Sequence, residues 1–230
     1  MKIGAKVMDI KLFLQAIIKY TFGVLIVGCL VFIPAGNLNY WNGWLFMGLL
    51  FIPMFIAGNI LMIKNPELLR KRLNSKEKEK DQKQVILLSG LMFLSGFIVA
   101  GLNHRLNWIE LPIIVVIISS ILFIISYLLY AEVLRENTYL SRTIEVQENQ
   151  KVIDTGLYGI VRHPMYAVTI LLFLTMPLIL GSIISFIIFL IYPIIIAKRI
   201  KNEEEILEKE LERYSEYKNK VKYKVIPFIW

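Results

Sequence analysis

Residues 166–197 read YAVTILLFLTMPLILGSIISFIIFLIYPIIIA, an apolar run without a charged side chain. As one helix, with a rise of about 1.5 Å per residue, the run would be about 50 Å long, whereas the hydrocarbon core of a bilayer is about 30 Å thick. Its middle holds Pro177 and the pair Gly181-Ser182, residue types that break helices or form turns. The run therefore predicts two helices that enter the membrane and return as a hairpin, with one strongly kinked helix as the alternative.

The rest of the sequence is also too apolar for a soluble domain. Hydrophobic residues make up 57% of the 230 residues, against about 45–50% in a typical soluble domain. Further apolar blocks of spanning length lie at 12–34, 41–63, 85–102 and 109–131. We expect an all-α, polytopic membrane bundle of four spans plus the hairpin.

The basic residues test this topology. Of the 26 lysines and arginines, all but Arg105 lie on one side if the last run is a hairpin. If the run crossed once, the nine basic residues from Lys198 onward would lie on the other side. Cytoplasmic loops are enriched in Lys and Arg, so both termini are expected in the cytoplasm. The rule also explains the net charge of +8, and a nucleic-acid partner is not expected.

Two regions follow from this layout. Residues 1–136 would hold the four spans and a basic cytoplasmic loop at 64–83, and residues 137–230 the functional region. After the hairpin, apolar residues recur at helical spacing and predict an amphipathic cytoplasmic tail helix that Pro227 ends. This stripe consists of Leu207, Leu211, Tyr214, Tyr217 or Lys218, and Val221.

The stretch before the hairpin, residues 156–166, reads GLYGIVRHPMY. Pro164 suits the first turn of a helix, where its missing N–H would have no partner. The N-terminus of such a helix attracts anions, and Arg162 and His163 add donors beside it. This stretch predicts a binding site for an anion or a carboxylate at the membrane surface.

The far end of the hairpin returns carboxylates to the same place. Arg199 is followed by glutamates at 203–205, and Arg199 and Glu203 lie on one helix face. Either feature alone is also typical of an ordinary helix start or a solvated first turn. Together they favour a zwitterionic ligand with a carboxylate, an amine and ribose hydroxyls.

These motifs resemble the isoprenylcysteine carboxyl methyltransferase family, and related motifs occur in membrane phospholipid N-methyltransferases. The pattern Gly-x-Tyr-x-x-x-Arg-His-Pro-x-Tyr lies at 156–166, and Arg-x-x-x-Glu-Glu-x-x-Leu lies at 199–207. The closing sequence LERYSEYKNKVKYKVIPFIW is similar to that of many prokaryotic members, which implies a prokaryotic cell membrane. The resemblance covers 137–230; Leu157 and Val168 stand where proline and glycine are common.

The resemblance implies an S-adenosyl-L-methionine-dependent methyltransferase like the protein-S-isoprenylcysteine O-methyltransferases. Arg199 would face the acceptor. The residues implied to hold the cofactor are Gln147, Gln150, Lys151, Val152, Ile153, Tyr158, His163, Pro164, Met165, Tyr166 and Glu203. The glycine-rich fingerprint of soluble dinucleotide-type folds is not found in the sequence.

The acceptor is left open by the sequence. A lipophilic carboxylate needs no base, and Arg199 could orient it. A lipid amine, hydroxyl or thiol calls for a base, and His163 or Glu204 is the candidate. The alternatives are an NADPH-dependent membrane reductase like the sterol reductases and a non-catalytic lipid-binding protein. Membrane lipids are expected partners, and the oligomeric state stays open.

Overall fold

The computed structural model describes residues 9–73, 80–140 and 146–230, with side chains from residue 83 onward in the second range. Within these ranges the chain is helical and has no β-strand. A short 3₁₀ helix, Gly156–Gly159, precedes the hairpin. The α-helices are α1 (Ile10–Ala35), α2 (Trp41–Lys64), α3 (Pro66–Leu73), α4 (Lys80–Leu106), α5 (Ile113–Glu136), α6 (Pro164–Ile179), α7 (Ile183–Phe189), α8 (Tyr192–Glu210) and α9 (Tyr214–Lys220).

The four predicted spans are the helices α1, α2, α4 and α5. With the arm at 183–210 they make five described segments that are long and apolar enough to cross a membrane. The predicted start of the fourth span was four residues early, since α5 begins at Ile113. Pro112 precedes it in an extended conformation, with ψ at 140°. The all-α membrane bundle is confirmed.

The last apolar run is a hairpin, and the kinked-helix alternative is wrong. Helix α6 descends to Ile179, and Gly181 turns the chain with a φ of 73°. Helices α7 and α8 form the returning arm. The hydroxyl of Tyr192 lies 3.3 Å from Oγ1 of Thr169 on the opposite arm, and its ring centroid lies 4.7 Å from that of Phe173.

The tip of the hairpin is held at the far end of the bundle. The hydroxyl of Tyr40 donates to the carbonyl of Leu180, and Nδ2 of Asn42 donates to the carbonyl of Ile179 at 2.9 Å. Both side chains stand where α2 begins. The tip thus lies at the end of the bundle opposite to α3. The open end of the hairpin, where α6 begins and α8 leaves, lies at the α3 end.

The core between the helices is aromatic. Phe46, Phe123 and Phe189 are fully buried, and Phe97 lies beside Phe46 and Phe189. Gly96 lets the returning arm approach α4, because a Cβ there would collide with the ring of Phe189. Many leucines and isoleucines on the outer faces are exposed, as side chains that contact lipid would be.

Part of the basic loop forms the helix α3, which was not predicted from the sequence. Asn65 caps α3 by accepting from the backbone N–H of Leu68 at 3.1 Å, and Pro66 is the first helical residue. Residues 74–79 of this loop lie outside the described residues. The division into residues 1–136 and 137–230 stays a prediction, with α5 ending at that boundary.

The predicted single tail helix was wrong. Helix α8 ends at Glu210, and α9 follows after a turn in which Arg213 has a φ of 65°. Helix α9 ends at Lys220, well before Pro227. The turn lets the apolar stripe fold inward, because a continuous helix would carry it away from the bundle.

Candidate active site

A cleft opens at the α3 end of the bundle, where α5 ends, α6 begins and α8 leaves. Its wall combines the loop after α5, the start of α6 and the tail. The lining residues are Asn137, Tyr139, Leu140, Gln150, Lys151, Val152, Ile153, Tyr158, Arg162, His163, Met165, Tyr166, Glu203, Leu207, Leu211, Tyr214 and Tyr217.

Tyr166 joins the two arms of the hairpin at the cleft. Its hydroxyl donates to Oε2 of Glu203 at 2.5 Å and accepts from Nε of Arg199 at 2.8 Å. The guanidinium of Arg199 also lies 6.0 Å from the centre of the Tyr166 ring. A phenol hydroxyl can donate one hydrogen bond and accept others, so the Tyr166 hydroxyl links the guanidinium of Arg199 to the carboxylate of Glu203. The arrangement aligns a carboxylate and a guanidinium beside the ring.

Glu204, next to Glu203 in the sequence, forms a buried ion cluster. Its Oε1 accepts from Nε of Arg162 at 2.8 Å and from Nε2 of His163 at 3.1 Å. Its Oε2 lies 3.0 Å from Nζ of Lys224. The side chain is only 6% exposed, so the carboxylate depends on these donors for the solvation that it loses. Glu204 therefore positions His163.

The geometry assigns the proton of His163. A carboxylate can only accept, so Nε2 of His163 donates to Glu204. Its Nδ1 is turned towards Glu203 and lies 4.0 Å from Oε1 of that residue. The ring is buried yet lines the cleft. His163 can therefore present Nδ1 to a ligand while Nε2 stays anchored.

The C-terminal strap, residues 221–225, closes the site from the side. The backbone N–H groups of Arg162 and His163 donate to the carbonyls of Tyr223 and Lys224 at 2.9 and 2.8 Å. Nη1 of Arg162 reaches the carbonyls of Val221 and Lys222 at 2.7 and 2.8 Å. From the sequence, Arg162 was expected to help bind a ligand's anion. In the structure these donors hold the strap and Arg162 also lines the cleft, so the anion role stays a prediction.

The apolar stripe of the tail forms one wall of the cleft. Leu207 and Val152 pack against the buried side chains of Leu211, Tyr214 and Tyr217. The stripe therefore packs against the loop after α5, a role that the expected amphipathic helix did not include. The wall supplies a flat, apolar surface next to the hydrogen bonds that Tyr166 makes with Glu203 and Arg199.

Tyr158 is positioned by a tight turn below the cleft. Gly156 has a φ of 50°, and a Cβ there would collide with the carboxylate of Glu136. That carboxylate accepts from Oγ1 of Thr155 at 2.7 Å and from the N–H of Leu157 at 3.3 Å. The 3₁₀ helix that follows carries Tyr158 into the wall. Burial raises the pKa of Tyr158, so its hydroxyl is neutral at physiological pH.

The basic helix α3 touches the same region. Nζ of Lys71 donates to Oε1 of Gln147 at 2.6 Å, and Nε2 of Gln147 donates to the carbonyl of Tyr139 at 2.5 Å. Nη1 of Arg72 lies 3.9 Å from Sδ of the cleft residue Met165. A positive helix thus supports the loop after α5.

The structure brings most of the predicted site residues together. Gln147 and Pro164 are adjacent to the cleft without lining it. Of the catalytic candidates His163 lines it, whereas Arg199 and Glu204 contact residues that do. Predicted cofactor residues that line the cleft are Gln150, Lys151, Val152, Ile153, Tyr158, His163, Met165, Tyr166 and Glu203.

Several lining residues were not predicted as ligand contacts. Asn137, Tyr139 and Leu140 directly follow α5 and carry no periodic signal. The aromatic and leucine residues of the tail stripe were singled out only for helix packing. The tyrosines among the leucines of this stripe were the feature of the sequence that could have indicated a ligand-binding surface. Within the described residues, no group of three or more His, Cys, Asp or Glu residues could hold a metal ion.

Comparison with models of known protein families gave a match. Residues 114–209 match the model of the isoprenylcysteine carboxyl methyltransferase (ICMT) family. A search of curated proteins gave no match. The matched region runs from α5 to α8, so α9 and the C-terminal strap lie beyond it. The match confirms the family resemblance and, with the five apolar segments, supports an integral membrane methyltransferase in general terms.

Proposed function

Because the region that builds most of the cleft matches the ICMT family, we propose that the protein transfers a methyl group from S-adenosyl-L-methionine to a lipophilic acceptor at the cytoplasmic membrane face. The observation that supports this proposal best is the Arg199–Tyr166–Glu203 chain beside an apolar, aromatic wall. It places a carboxylate and a guanidinium at the mouth of an apolar hairpin.

The residues present fit that cofactor. Glu203 is a hydrogen-bond acceptor for ribose hydroxyls or an amine, and its charge favours a cation. The rings of Tyr158 and Tyr166 offer faces that attract a positive centre. The wall of Val152 and Leu207 suits a flat, apolar base. When bound, S-adenosyl-L-methionine supplies a methyl group on a positively charged sulfur, which an acceptor atom takes by in-line displacement to leave a neutral thioether.

The protein's part is to align the reactants and exclude water. Alignment alone contributes about 7–11 kcal/mol in good geometry. Arg199 is the group that would orient an acceptor carboxylate, and Tyr166 holds Nε of its guanidinium in place. For an acceptor that must lose a proton, His163 is the better base, because Glu204 already accepts from Arg162, His163 and Lys224, whereas Nδ1 of His163 can face a ligand. Glu204 then acts through His163.

The basic end of the bundle supports a cytoplasmic site. Lys71 and Arg72 of α3, Lys198 of α8 and Lys224 of the strap all lie at the end where the cleft opens. Cytoplasmic ends of membrane bundles carry this excess of positive charge. A soluble cofactor would reach the cleft from the cytosol, and a lipophilic acceptor would enter from the bilayer.

Transfer of a labelled methyl group tests this function. Detergent-purified protein is incubated with tritiated S-adenosyl-L-methionine and lipophilic acceptors of three kinds: isoprenoid or prenylcysteine carboxylic acids, lipid amines and hydrophobic thiols. We expect label in the organic phase, and alkali releases it as volatile methanol if the product is an ester. The matched control is Arg199→Lys, which keeps the charge but loses the planar guanidinium. No transfer to any acceptor by protein that binds the cofactor would contradict the enzymatic role.

A further inference from the structure

The hydroxyl of Tyr214 is a buried polar group that the fold does not use. Tyr214 lines the cleft and is 4% exposed. Its hydroxyl oxygen is buried and makes no hydrogen bond to any of the described residues. Buried hydroxyls in native proteins nearly always have a partner, because an unpaired one lowers stability. Such a group at a binding cleft points to a partner that arrives with a ligand.

The neighbouring tyrosine shows the contrast. The hydroxyl of Tyr217 donates to the carbonyl of Tyr158 at 2.7 Å, and its ring centroid lies 5.8 Å from that of Tyr214. Both rings pack in the same apolar cluster. The Tyr217 hydroxyl therefore belongs to the architecture of the tail, whereas a phenylalanine would serve the packing at position 214 equally well.

The surroundings of Tyr214 indicate which part of a ligand it would meet. Beside Tyr214 lie Leu207, Leu211 and Val152, which form the apolar wall. The charges of Glu204 and Glu203 also act on the hydroxyl, and of these two residues Glu203 lines the cleft. The hydroxyl thus adjoins a surface suited to a flat ring and lies within electrostatic reach of the Glu203 carboxylate.

The protonation of Tyr214 fits a hydrogen-bond donor. Burial first, and then the negative charges of Glu204 and Glu203, raise the pKa of Tyr214. The hydroxyl therefore keeps its proton throughout the physiological pH range. A neutral donor in a water-poor site suits an unprotonated aromatic nitrogen.

We propose that Tyr214 is a binding residue for the adenine base, with its hydroxyl donating to a ring nitrogen while the base lies against Val152, Leu207 and Leu211. This assignment rests on the proposed function, since it names a further contact for the nucleoside part of S-adenosyl-L-methionine. It also gives α9, which lies beyond the region matched by the family, a direct role in binding.

The variant Tyr214→Phe separates binding from folding, because its affinity for the ligand should fall while its thermal stability rises. We expect the Kd of S-adenosylhomocysteine, measured by calorimetry, to rise about five- to tenfold, the usual effect of one lost hydrogen bond. The thermal midpoint of the ligand-free protein should rise, because the unpaired polar atom is gone. The matched control is Tyr223→Phe, a tyrosine of the C-terminal strap that packs against Phe228 outside the cleft and should change neither value.

Three outcomes would overturn the assignment. An unchanged Kd in Tyr214→Phe, with the wild type binding, removes the contact and leaves the proposed function standing. A fall in both affinity and thermal midpoint makes the role structural. No binding of S-adenosylhomocysteine by folded wild-type protein removes both the assignment and the proposed function.

Base analogues test which part of the ligand is met. We compare S-adenosylhomocysteine with analogues in which carbon replaces N1, N3 or N7. The analogue that lacks the nitrogen met by the hydroxyl should bind the wild type more weakly. Its affinity should not fall further in Tyr214→Phe. If each analogue loses the same factor in both proteins, the hydroxyl does not meet the base and the assignment is wrong.

Discussion

The hydroxyl of Tyr166 donates to Oε2 of Glu203 at 2.5 Å, although 37 residues separate the two in the chain. The hairpin makes this contact possible, because its turn at Gly181 returns α8 to the level at which α6 begins. Arg199 joins the same hydroxyl at 2.8 Å. The cleft therefore depends on a membrane hairpin for the alignment of its polar groups.

The first prediction concerns this hydroxyl. Tyr166→Phe should lower kcat/KM for methyl transfer about ten- to a hundredfold, because hydrogen bonds to charged groups contribute about 1.5–3 kcal/mol. Steady-state kinetics with the best acceptor measures this. The matched control, Tyr192→Phe, loses a hydroxyl contact with Thr169 inside the same hairpin and should keep near-wild-type kinetics. Equal losses in both variants would refute a specific role for Tyr166.

The second prediction separates two adjacent glutamates. Glu204→Gln should lower the free energy of unfolding by about 3 kcal/mol, because it leaves the buried charge of Arg162 uncompensated. Glu203→Gln should unfold like the wild type, since that side chain is 25% exposed, yet bind S-adenosylhomocysteine more weakly. Unfolding in a titration with denaturing detergent, together with calorimetry, measures both. The reverse assignment of effects would show that Glu204 is the ligand contact.

The third prediction concerns the turn before Tyr158. Gly156→Ala should destabilise the protein by at least about 1–2 kcal/mol, the cost of a left-handed conformation for a residue with a Cβ. The added Cβ also forces the carboxylate of Glu136 to move, which would break its hydrogen bonds to Thr155 and Leu157. The control is Gly58→Ala in α2, where a Cβ meets nothing within 4 Å. A thermal midpoint for Gly156→Ala equal to that of this control would contradict the account of the turn.

Much of this architecture could be predicted from local sequence. Pro177 and Gly181 marked the turn, and the distribution of basic residues favoured a hairpin over a single crossing. Pro164 marked the start of α6, and Glu203 could be paired with that start once the hairpin was assumed. These signals are local or cumulative, so a single sequence is enough to detect them.

The remaining features depend on contacts that leave no periodic trace. Arg162 meets the carbonyl of Val221 across 59 residues, and a backbone acceptor has no signature in the sequence. The break at Arg213 contains neither glycine nor proline, so the continuous stripe suggested one helix. Lys71 was predicted to lie in a basic cytoplasmic loop, although the Asn65-Pro66 pair before it is a recognisable helix start.

The fourth prediction concerns orientation. Cys29 is the one cysteine of the sequence and is replaced by serine to give a background without thiols. In this Cys29→Ser background, Glu216→Cys places a thiol on α9, where the native side chain is 69% exposed. We expect a membrane-impermeant maleimide to label it only after cells are opened, because α9 lies at the basic end of the bundle. Leu38→Cys, in the exposed loop at the opposite end, should be labelled in intact cells. The opposite pattern would place the cleft outside.

The proposed function requires that the cleft between the hairpin and the tail bind S-adenosyl-L-methionine. Calorimetry of detergent-purified protein with S-adenosylhomocysteine, and with NADPH as the rival ligand, tests it most directly. We predict saturable, micromolar binding of S-adenosylhomocysteine that is lost in His163→Ala, with no binding of NADPH. Binding of NADPH alone, or of neither ligand by folded protein, would contradict the claim.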